Sequence, residues 1–191
     1  ARTTGQPWPE RVWVDLLRGR APRRSSPFPR TGDDIADITQ ALRDATSYVA
    51  VQGPPGTGKT YVGARVVQAL AAAGWRIGVV AQSHAVVDNF LAEVHDVDPA
   101  LPLGKEPPTG APARKPWEVA KLADFTSRQA GGFVIGGTVW TFCRQAVQDL
   151  SLDLLVIDEA GQFSLTNAVA ASQAIDRVLL LGDPQQLPQV S

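Results

Sequence analysis

The sequence predicts an α/β fold in which a parallel β-sheet of about five strands carries helices on both faces. Five short apolar runs mostly lack the alternating polar residues of half-exposed strands, as is typical of strands buried on both faces of a parallel sheet. Segments with helical spacing separate several of these runs, and the alternation of strands and helices indicates a layered α/β architecture. The predicted strands comprise residues 47–52, 75–82, 132–139, 152–158 and 177–183.

The bulk composition is that of a globular domain. A chain of 191 residues with 44% hydrophobic residues and a net charge of -1 can bury a core of ordinary size. No apolar run approaches the roughly 20 residues of a membrane helix, and no basic tip precedes an apolar stretch as in a signal peptide. We therefore expect a cytoplasmic protein without membrane contact. The single cysteine excludes an internal disulfide, and the absence of methionine predicts a piece of a longer protein.

The first 30 residues form a basic segment. They contain seven arginines and two acidic residues, and the stretch PRRSSPFPR at residues 22–30 is rich in proline and serine. A basic arm of this kind can contact nucleic acid. It can also link the domain to an upstream neighbour, and the proline and serine favour the linker. The predicted domain proper therefore comprises residues 31–191.

Helices are predicted around the strands. Ile35, Ile38 and Leu42 recur at helical spacing ahead of the first strand. Residues 96–114 are rich in proline and glycine and indicate a surface excursion, so we expect an insertion at residues 96–130. Further helical stretches are predicted at residues 8–17, 60–73, 86–94 and 167–174.

Residues 53–60, GPPGTGKT, fit the G-x-x-x-x-G-K-[ST] pattern of a phosphate-binding loop. Glycines let the backbone curl so that its N–H groups face an anion, and the following helix adds its positive N-terminal end. In this pattern Lys59 reaches the β- and γ-phosphates and the Thr60 hydroxyl ligates Mg²⁺. A dinucleotide-binding loop would need a small residue where Tyr61 stands. The predicted nucleotide loop thus comprises Gly53, Pro54, Pro55, Gly56, Thr57, Gly58, Lys59 and Thr60.

A second motif, LLVIDEAGQ at residues 154–162, indicates hydrolysis. The apolar run places Asp158 at the end of a buried strand beside the phosphate loop, where its carboxylate can hold Mg²⁺. Glu159, one residue further on, can point at the attacking water as general base. A pair of carboxylates favours hydrolysis of the nucleotide over transfer of phosphate to a small substrate.

A third motif, LLLGDPQQLPQ at residues 179–189, follows the last predicted strand. Gly182 and Pro184 are suited to a tight turn. The neutral amides of Gln185 and Gln186 can hydrogen-bond a γ-phosphate or a water molecule. We therefore expect this loop to join the nucleotide site.

Five motifs of this chain, in their order along the sequence, resemble the motifs of superfamily 1 helicases. Besides the phosphate loop (motif I), they are AQSHAVVDNFL at residues 81–91 (Ia), GTVWTF at 137–142 (Ic), DEAGQ at 158–162 (II) and GDPQQLPQ at 182–189 (III). The resemblance covers roughly residues 47–190 and is closest to the up-frameshift-like branch. More narrowly, these segments are similar to the helicase region of bacterial proteins that fuse a RecB-like nuclease to such a helicase.

The resemblance implies a RecA-like P-loop NTPase, the domain 1A of a DNA or RNA helicase or translocase, that hydrolyses ATP with Mg²⁺. By the family pattern Gln186 senses the γ-phosphate, which completes a predicted catalytic set with Lys59 and Glu159. The family also has a second RecA-like domain whose arginines reach the γ-phosphate. We therefore expect weak turnover by this chain alone, a second RecA-like domain as partner and an upstream nuclease domain.

The resemblance also implies binding of single-stranded nucleic acid, DNA in preference to RNA. Ser83, His84 and Thr138 fall where the family contacts the nucleic-acid backbone, and hydroxyls and loop N–H groups suit that role. His84 stands where the family often has asparagine, so a surface histidine without a strand contact is an equal alternative. Trp140 can stack on a base or pack in the core.

Two further alternatives concern the nucleotide and the function. The up-frameshift-like helicases usually carry a glutamine that reads adenine about seventeen residues before the phosphate loop, where this chain has Ala36; Gln40 is nearby but out of register. This difference puts adenine specificity in question. A nucleotide-dependent switch or scaffold that acts on a protein partner is the alternative to a helicase.

Overall fold

The computed structural model describes residues 8–54 and 56–183, and in them a parallel six-stranded β-sheet. Neighbouring strands lie in the order β1-β6-β5-β2-β4-β3, and each pair is parallel. The strands are β1 Tyr48–Gln52, β2 Arg76–Val80, β3 Leu103–Lys105, β4 Phe133–Gly137, β5 Leu154–Ile157 and β6 Val178–Gly182.

Eight α-helices and one 3-10 turn accompany these strands in the described residues. The turn Ala160–Gln162 directly follows β5 and the acidic pair. The helices are α1 Val12–Leu17, α2 Asp34–Asp44, α3 Lys59–Ala72, α4 His84–Val97, α5 Leu122–Thr126, α6 Val139–Phe142, α7 Gln145–Gln148 and α8 Leu165–Ala171.

The predicted α/β fold is confirmed, including the helices on both faces of the sheet. All residues of β4 and β5 are buried, as expected for strands that are covered on both sides. One apolar layer packs α2, α3 and α4 against the sheet through side chains such as Leu42, Leu70 and Phe90. The second layer packs α1, α6, α7 and α8 against the opposite face, with Phe142 and Val147 among its members.

The sixth strand, β3, lies within the segment in which the sequence predicted an insertion. Leu103, Gly104 and Lys105 are all buried and pair with β4 at the edge of the sheet. Its three residues follow a proline and include a lysine, so the sequence carries no strand signal there. A separate insertion at residues 96–130 stays a prediction.

Part of the basic N-terminal segment packs against the domain. Val12 and Val14 of α1 are buried, and α1 contacts α8. The fully buried Asp15 accepts hydrogen bonds from the Ser47 hydroxyl at 2.7 Å and from Arg23 Nε at 2.8 Å. The assignment of residues 1–30 to a linker stays a prediction, and any truncation within this segment has to spare α1.

None of the helices in the described residues has the length and apolarity needed to cross a membrane.

Candidate nucleotide-binding site and nucleic-acid surface

The predicted nucleotide-binding residues follow three strands that are neighbours in the sheet. β1 leads into the phosphate loop, β5 leads into Asp158 and Glu159, and β6 leads into Asp183. Because the strands are parallel, their C-terminal ends lie on one edge, where ligands of open α/β sheets bind. The Gly53 N–H donates to the carbonyl oxygen of Gly182 at 3.3 Å, which joins the phosphate loop directly to the end of β6.

The phosphate loop turns sharply at two glycines. Gly56 and Gly58 have φ angles of 79° and 77°, in the left-handed region that side chains disfavour. Gly58 is the N-cap of α3 and has no side chain to bond the first N–H groups of that helix. These N–H groups and the positive end of the helix dipole therefore suit an anion.

Lys59 curls over the phosphate loop. Its Nζ donates to the carbonyl oxygens of Gly53 at 2.6 Å and Pro54 at 2.7 Å. The Thr57 hydroxyl donates to the same Pro54 oxygen at 2.8 Å, and a Cβ on Gly53 would lie only 2.8 Å from the Thr57 Oγ1. The loop is thus compact, and the Lys59 ammonium group is held against the carbonyl oxygens at the start of the loop.

Asp158 is buried and has an unusually high pKa. Burial raises the pKa of Asp158 to about 6, and the negative charge of Glu159 adds to the rise. The Glu159 N–H at 3.0 Å, the charge of Lys59 and a hydrogen bond with the Thr60 side chain act in the opposite direction, because they favour the ionised form. The phosphate-loop residues Lys59 and Thr60 therefore meet Asp158, which lies about a hundred residues further along the chain, in one site.

Glu159 has a backbone conformation that is rare for a residue with a side chain. Its φ and ψ angles are 52° and 43°, in the left-handed region. Such conformations cost about 1 kcal/mol or more and concentrate at functional sites. The Glu159 backbone follows the buried Asp158 and begins the turn Ala160–Gln162, so the half-buried carboxylate lies at the sheet edge beside the phosphate loop.

The donor set fits Mg²⁺. Magnesium is usually held by one or two carboxylates together with substrate phosphates and water. The Thr60 hydroxyl and the Asp158 carboxylate supply two oxygens close to the phosphate loop. Among the described residues there is no group of three or more His, Cys, Asp or Glu side chains that could hold a metal alone.

A cleft of about 430 Å³ lies beside the phosphate loop. On one side it is lined by loop residues and by Val62 of α3, and on the other by Phe28, Asp34 and Ile38. Ala36 is exposed and does not line it, and Gln40 donates to Asp44 at 3.1 Å. The sequence did not single out Phe28 or Asp34, because only the packing of residues 23–34 on the domain brings them to the loop.

The predicted nucleic-acid contacts follow another pair of neighbouring strands. β2 and β4 are parallel and pair Val80 with Gly137, so Ser83 and Thr138 come after them on one edge of the sheet. That edge is the one that holds the phosphate loop. The Ser83 hydroxyl caps α4 by accepting from the Val86 N–H at 3.3 Å, and Thr138 precedes α6. A contact of either hydroxyl with nucleic acid stays a prediction.

His84 lies in the first turn of α4, next to a buried charged cluster. Burial and the positive charge of Lys105 hold the pKa of His84 below its usual range, while Asp88 and Glu118 oppose this shift. The Nδ1 atom of His84 is buried without a hydrogen-bond partner among the described residues. His84 is half-buried, and its lowered pKa favours the neutral form of the ring. A contact of His84 with a nucleic-acid strand stays a prediction.

Trp140 lies outside the core. Its side chain is 82% exposed. The alternative in which Trp140 packs in the core is therefore wrong. The sequence could not distinguish the two, because the apolar neighbours Val139 and Phe142 suggest burial for the whole segment.

Two predicted site residues lie outside the described residues. They are Pro55 of the phosphate loop and Gln186 of the glutamine-containing loop. Their roles stay predictions from the motif.

The chain is similar to proteins of known function. Residues 34–191 match the family described as AAA domain. The DNA replication ATP-dependent helicase/nuclease DNA2 of Saccharomyces cerevisiae is 27% identical over 158 residues, which cover 79% of this chain and 10% of the relative. The protein of the same name from Mus musculus is 27% identical over 185 residues, covering 86% of this chain and 17% of the relative. The crystal structure of T4 UvsW matches with a TM-score of 0.58 at 12% identity, over 91% of this chain and 34% of that chain, which supports the fold alone.

Proposed function

Because this chain belongs to the AAA domain family and is a P-loop ATPase domain of a superfamily 1 helicase, we propose that residues 53–60 bind the phosphates of ATP. Thr60 and Asp158 hold the accompanying Mg²⁺. The observation that carries this proposal is the meeting of Lys59 and Thr60, which follow β1, with Asp158, which follows β5; β6 lies between these two strands in the sheet. A chance match to the loop pattern would not place a buried carboxylate beside the loop.

In the proposed reaction a water molecule attacks the γ-phosphorus in line with the oxygen that bridges to the β-phosphate. The new P–O bond forms as the bridging bond breaks, and inorganic phosphate and ADP result. Glu159 accepts the proton of the attacking water. Lys59 and the loop N–H groups stabilise the negative charge of the transition state. Mg²⁺, when bound, neutralises charge on the β- and γ-phosphate oxygens.

The nucleoside occupies the cleft beside the loop. The cleft opens from Lys59 toward Phe28, whose ring offers an apolar wall for a purine base. Asp34 can accept a hydrogen bond from an amino group of the base. Since Ala36 cannot read the base, this carboxylate and the apolar wall are the available determinants of base preference.

The same sheet edge carries the proposed path of single-stranded nucleic acid. Ser83, His84 and Thr138 supply polar groups to its backbone. DNA is the expected substrate in preference to RNA, a choice supported by relatives that are named DNA replication helicase/nucleases. The chain spans 10% and 17% of the length of those two relatives. A second RecA-like domain and a nuclease domain are its proposed partners in a longer protein, and the cytoplasm is its proposed compartment.

Two substitutions test the nucleotide site. Lys59→Ala should abolish measurable ATP binding in calorimetry, because no other lysine lies near the loop in sequence to replace its charge. Glu159→Gln should leave ATP affinity within a few-fold of wild type while turnover falls by about a hundredfold or more, the usual scale for loss of a general base.

The matched control is Lys121→Ala, which removes an exposed lysine ahead of α5 and should change neither quantity. Unchanged ATP affinity in the Lys59 variant would refute the loop assignment. In the proposed division of roles, Lys59 binds the phosphates and Glu159 is the general base. Equal loss of ATP affinity in both variants, with normal turnover of the nucleotide that still binds, would refute it.

A further inference from the structure

Trp140 differs from the other tryptophans of this protein. The chain has five tryptophans, and in the described residues four of them contact another ring or a guanidinium group. Trp140 has no such contact with any residue that the structure describes, and it is 82% exposed. The contacts of the others are Trp8 with Trp13 at 6.3 Å, Trp8 with Arg18 at 5.2 Å, Trp75 with Arg177 at 5.1 Å and Trp117 with His95 at 5.9 Å.

Trp140 is exposed because other side chains of its own helix pack tightly against the sheet. Phe142 is 2% exposed and fills the space over Gly78, where an added Cβ would lie 2.5 Å from its ring. Thr141 packs as closely over Gly137. Residues two positions apart on a helix point about 200° apart, so a buried Phe142 directs Trp140 away from the core. The indole is thus presented to solvent by a well-anchored turn.

The position of Trp140 coincides with the proposed path of the strand. It lies two residues after Thr138 and follows β4, whose neighbour β2 leads to Ser83. Both lie on the edge that carries the phosphate loop. A single exposed apolar side chain is ordinary on a protein surface; what distinguishes Trp140 is its place beside the proposed strand path.

The two chain segments that carry Ser83, Thr138 and Trp140 contain few cations for a phosphate backbone. No lysine or arginine occurs between Arg76 and Lys105, or between Gly131 and Cys143. Lys105 itself is fully buried against Asp88, and the next cation, Arg144, bonds Glu106 at 2.7 Å. Affinity for a single strand here therefore has to come largely from contacts other than ion pairs.

We propose that the Trp140 indole is a stacking platform for one base of the bound single strand. The inference rests on the proposed function, since it assumes that a strand crosses this edge. An indole face stacks on any base, so the contact adds affinity without sequence preference. It complements the hydroxyls of Ser83 and Thr138, which would contact the backbone.

The test compares two probes of equal length and charge with the full-length protein. One is a 20-nucleotide oligothymidylate, and the other is the same strand without its bases. Trp140→Ala should weaken binding of the oligothymidylate by roughly 5- to 100-fold, the range for loss of one base–aromatic stack. Binding of the abasic strand should not change. Trp140→Phe should restore most of the affinity, because it keeps an aromatic face.

Leu165→Ala is the control, because Leu165 on α8 is also exposed, at 51%, but has no ring; it should leave both affinities unchanged. Calorimetry with ATP should show normal nucleotide binding in all three variants. The inference is overturned if Trp140→Ala binds oligothymidylate like wild type, which would assign the side chain to a protein interface. Equal loss for both probes would overturn it as well. Failure of the wild-type protein to bind either strand would instead refute the strand path itself, and the inference with it.

Discussion

At the residue scale, Asp158 shows how burial changes the acidity of a carboxyl group. It is 5% exposed, and burial raises the pKa of its carboxyl to about 6. The ionised form is therefore costly in the folded protein until a cation arrives. The residue that suits Mg²⁺ best is thus one that destabilises the nucleotide-free domain, an arrangement common at functional sites.

Asp158→Asn should stabilise the nucleotide-free domain at neutral pH. The folded wild type holds the proton up to about pH 6, whereas the unfolded chain releases it near pH 4. The folded state therefore binds more protons between these values, and wild-type stability falls as the pH rises through them. The variant lacks this loss, so at pH 7.5 its free energy of unfolding should exceed that of wild type by up to about 3 kcal/mol.

Urea unfolding at pH 4.5 and pH 7.5 measures the effect. The advantage of the Asn variant should shrink at the lower pH. With saturating Mg²⁺ and ATP the order should reverse, since only the wild type gains a ligand for the cation. A difference between the two proteins that is the same at both pH values would contradict the assigned burial cost.

At the element scale, the edge strand β3 is attached to helix α4 by a buried charged cluster. Lys105 is fully buried, with Nζ 3.2 Å from Asp88 Oδ1. The Trp117 indole N–H donates to the same carboxylate at 3.0 Å, and Lys115 bonds it from the surface. Burial pushes the pKa of Asp88 upward, but the bonds from these three side chains outweigh it and hold the pKa below its usual range.

Asp88→Ala should destabilise the protein by about 3–5 kcal/mol, because it removes the nearest partner of the buried Lys105 and leaves the more distant Glu118 Oε1 at 3.8 Å. Asp96→Ala is the control, since it removes an exposed carboxylate from the same helix and should cost less than about 0.5 kcal/mol. Adding Lys105→Met to Asp88→Ala should recover part of the loss. Chemical denaturation of the variants checks all three values, and similar costs for Asp88 and Asp96 would show that the cluster does not hold β3.

At the scale of the whole molecule, the chain is a domain of the AAA family, and we propose that it is the ATPase half of a superfamily 1 helicase. The relatives favour this function over a switch that acts on a protein partner. The cleft, the acidic pair and the phosphate loop except Pro55 lie within the described residues, so the parts proposed to bind nucleotide are local to the domain. The arginines that the family directs at the γ-phosphate belong to the proposed second RecA-like domain.

We therefore expect binding and turnover to separate. This chain alone should bind ATP within about tenfold of the full-length protein, because its own residues make the contacts. Its turnover should be at least about a thousandfold lower, since an arginine finger contributes that much. Parallel calorimetry and phosphate-release assays on the two proteins test this, and equal turnover would show that the domain is catalytically complete.

The sequence alone determined which residues form the motifs and where the main strands lie. The glycines and Lys59 of the loop, the apolar run that ends in Asp158 and the five main strands are all local patterns. Each is written in consecutive residues, and parallel strands necessarily bring their ends to one edge. The family resemblance then identified the kind of ATPase.

Only the tertiary structure decided what depends on burial by distant residues. The strand β3 has no apolar run of its own and exists because it pairs with β4. Trp140 is exposed because Phe142 takes the space in the core, although both belong to the same apolar segment. The raised pKa of Asp158 comes from its burial. The ion pair of Asp88 with Lys105 forms where packing buries both side chains. Both are properties of the packed molecule. Periodicity along the chain carries no information about which of two apolar side chains will be covered, or how deeply a carboxylate will lie.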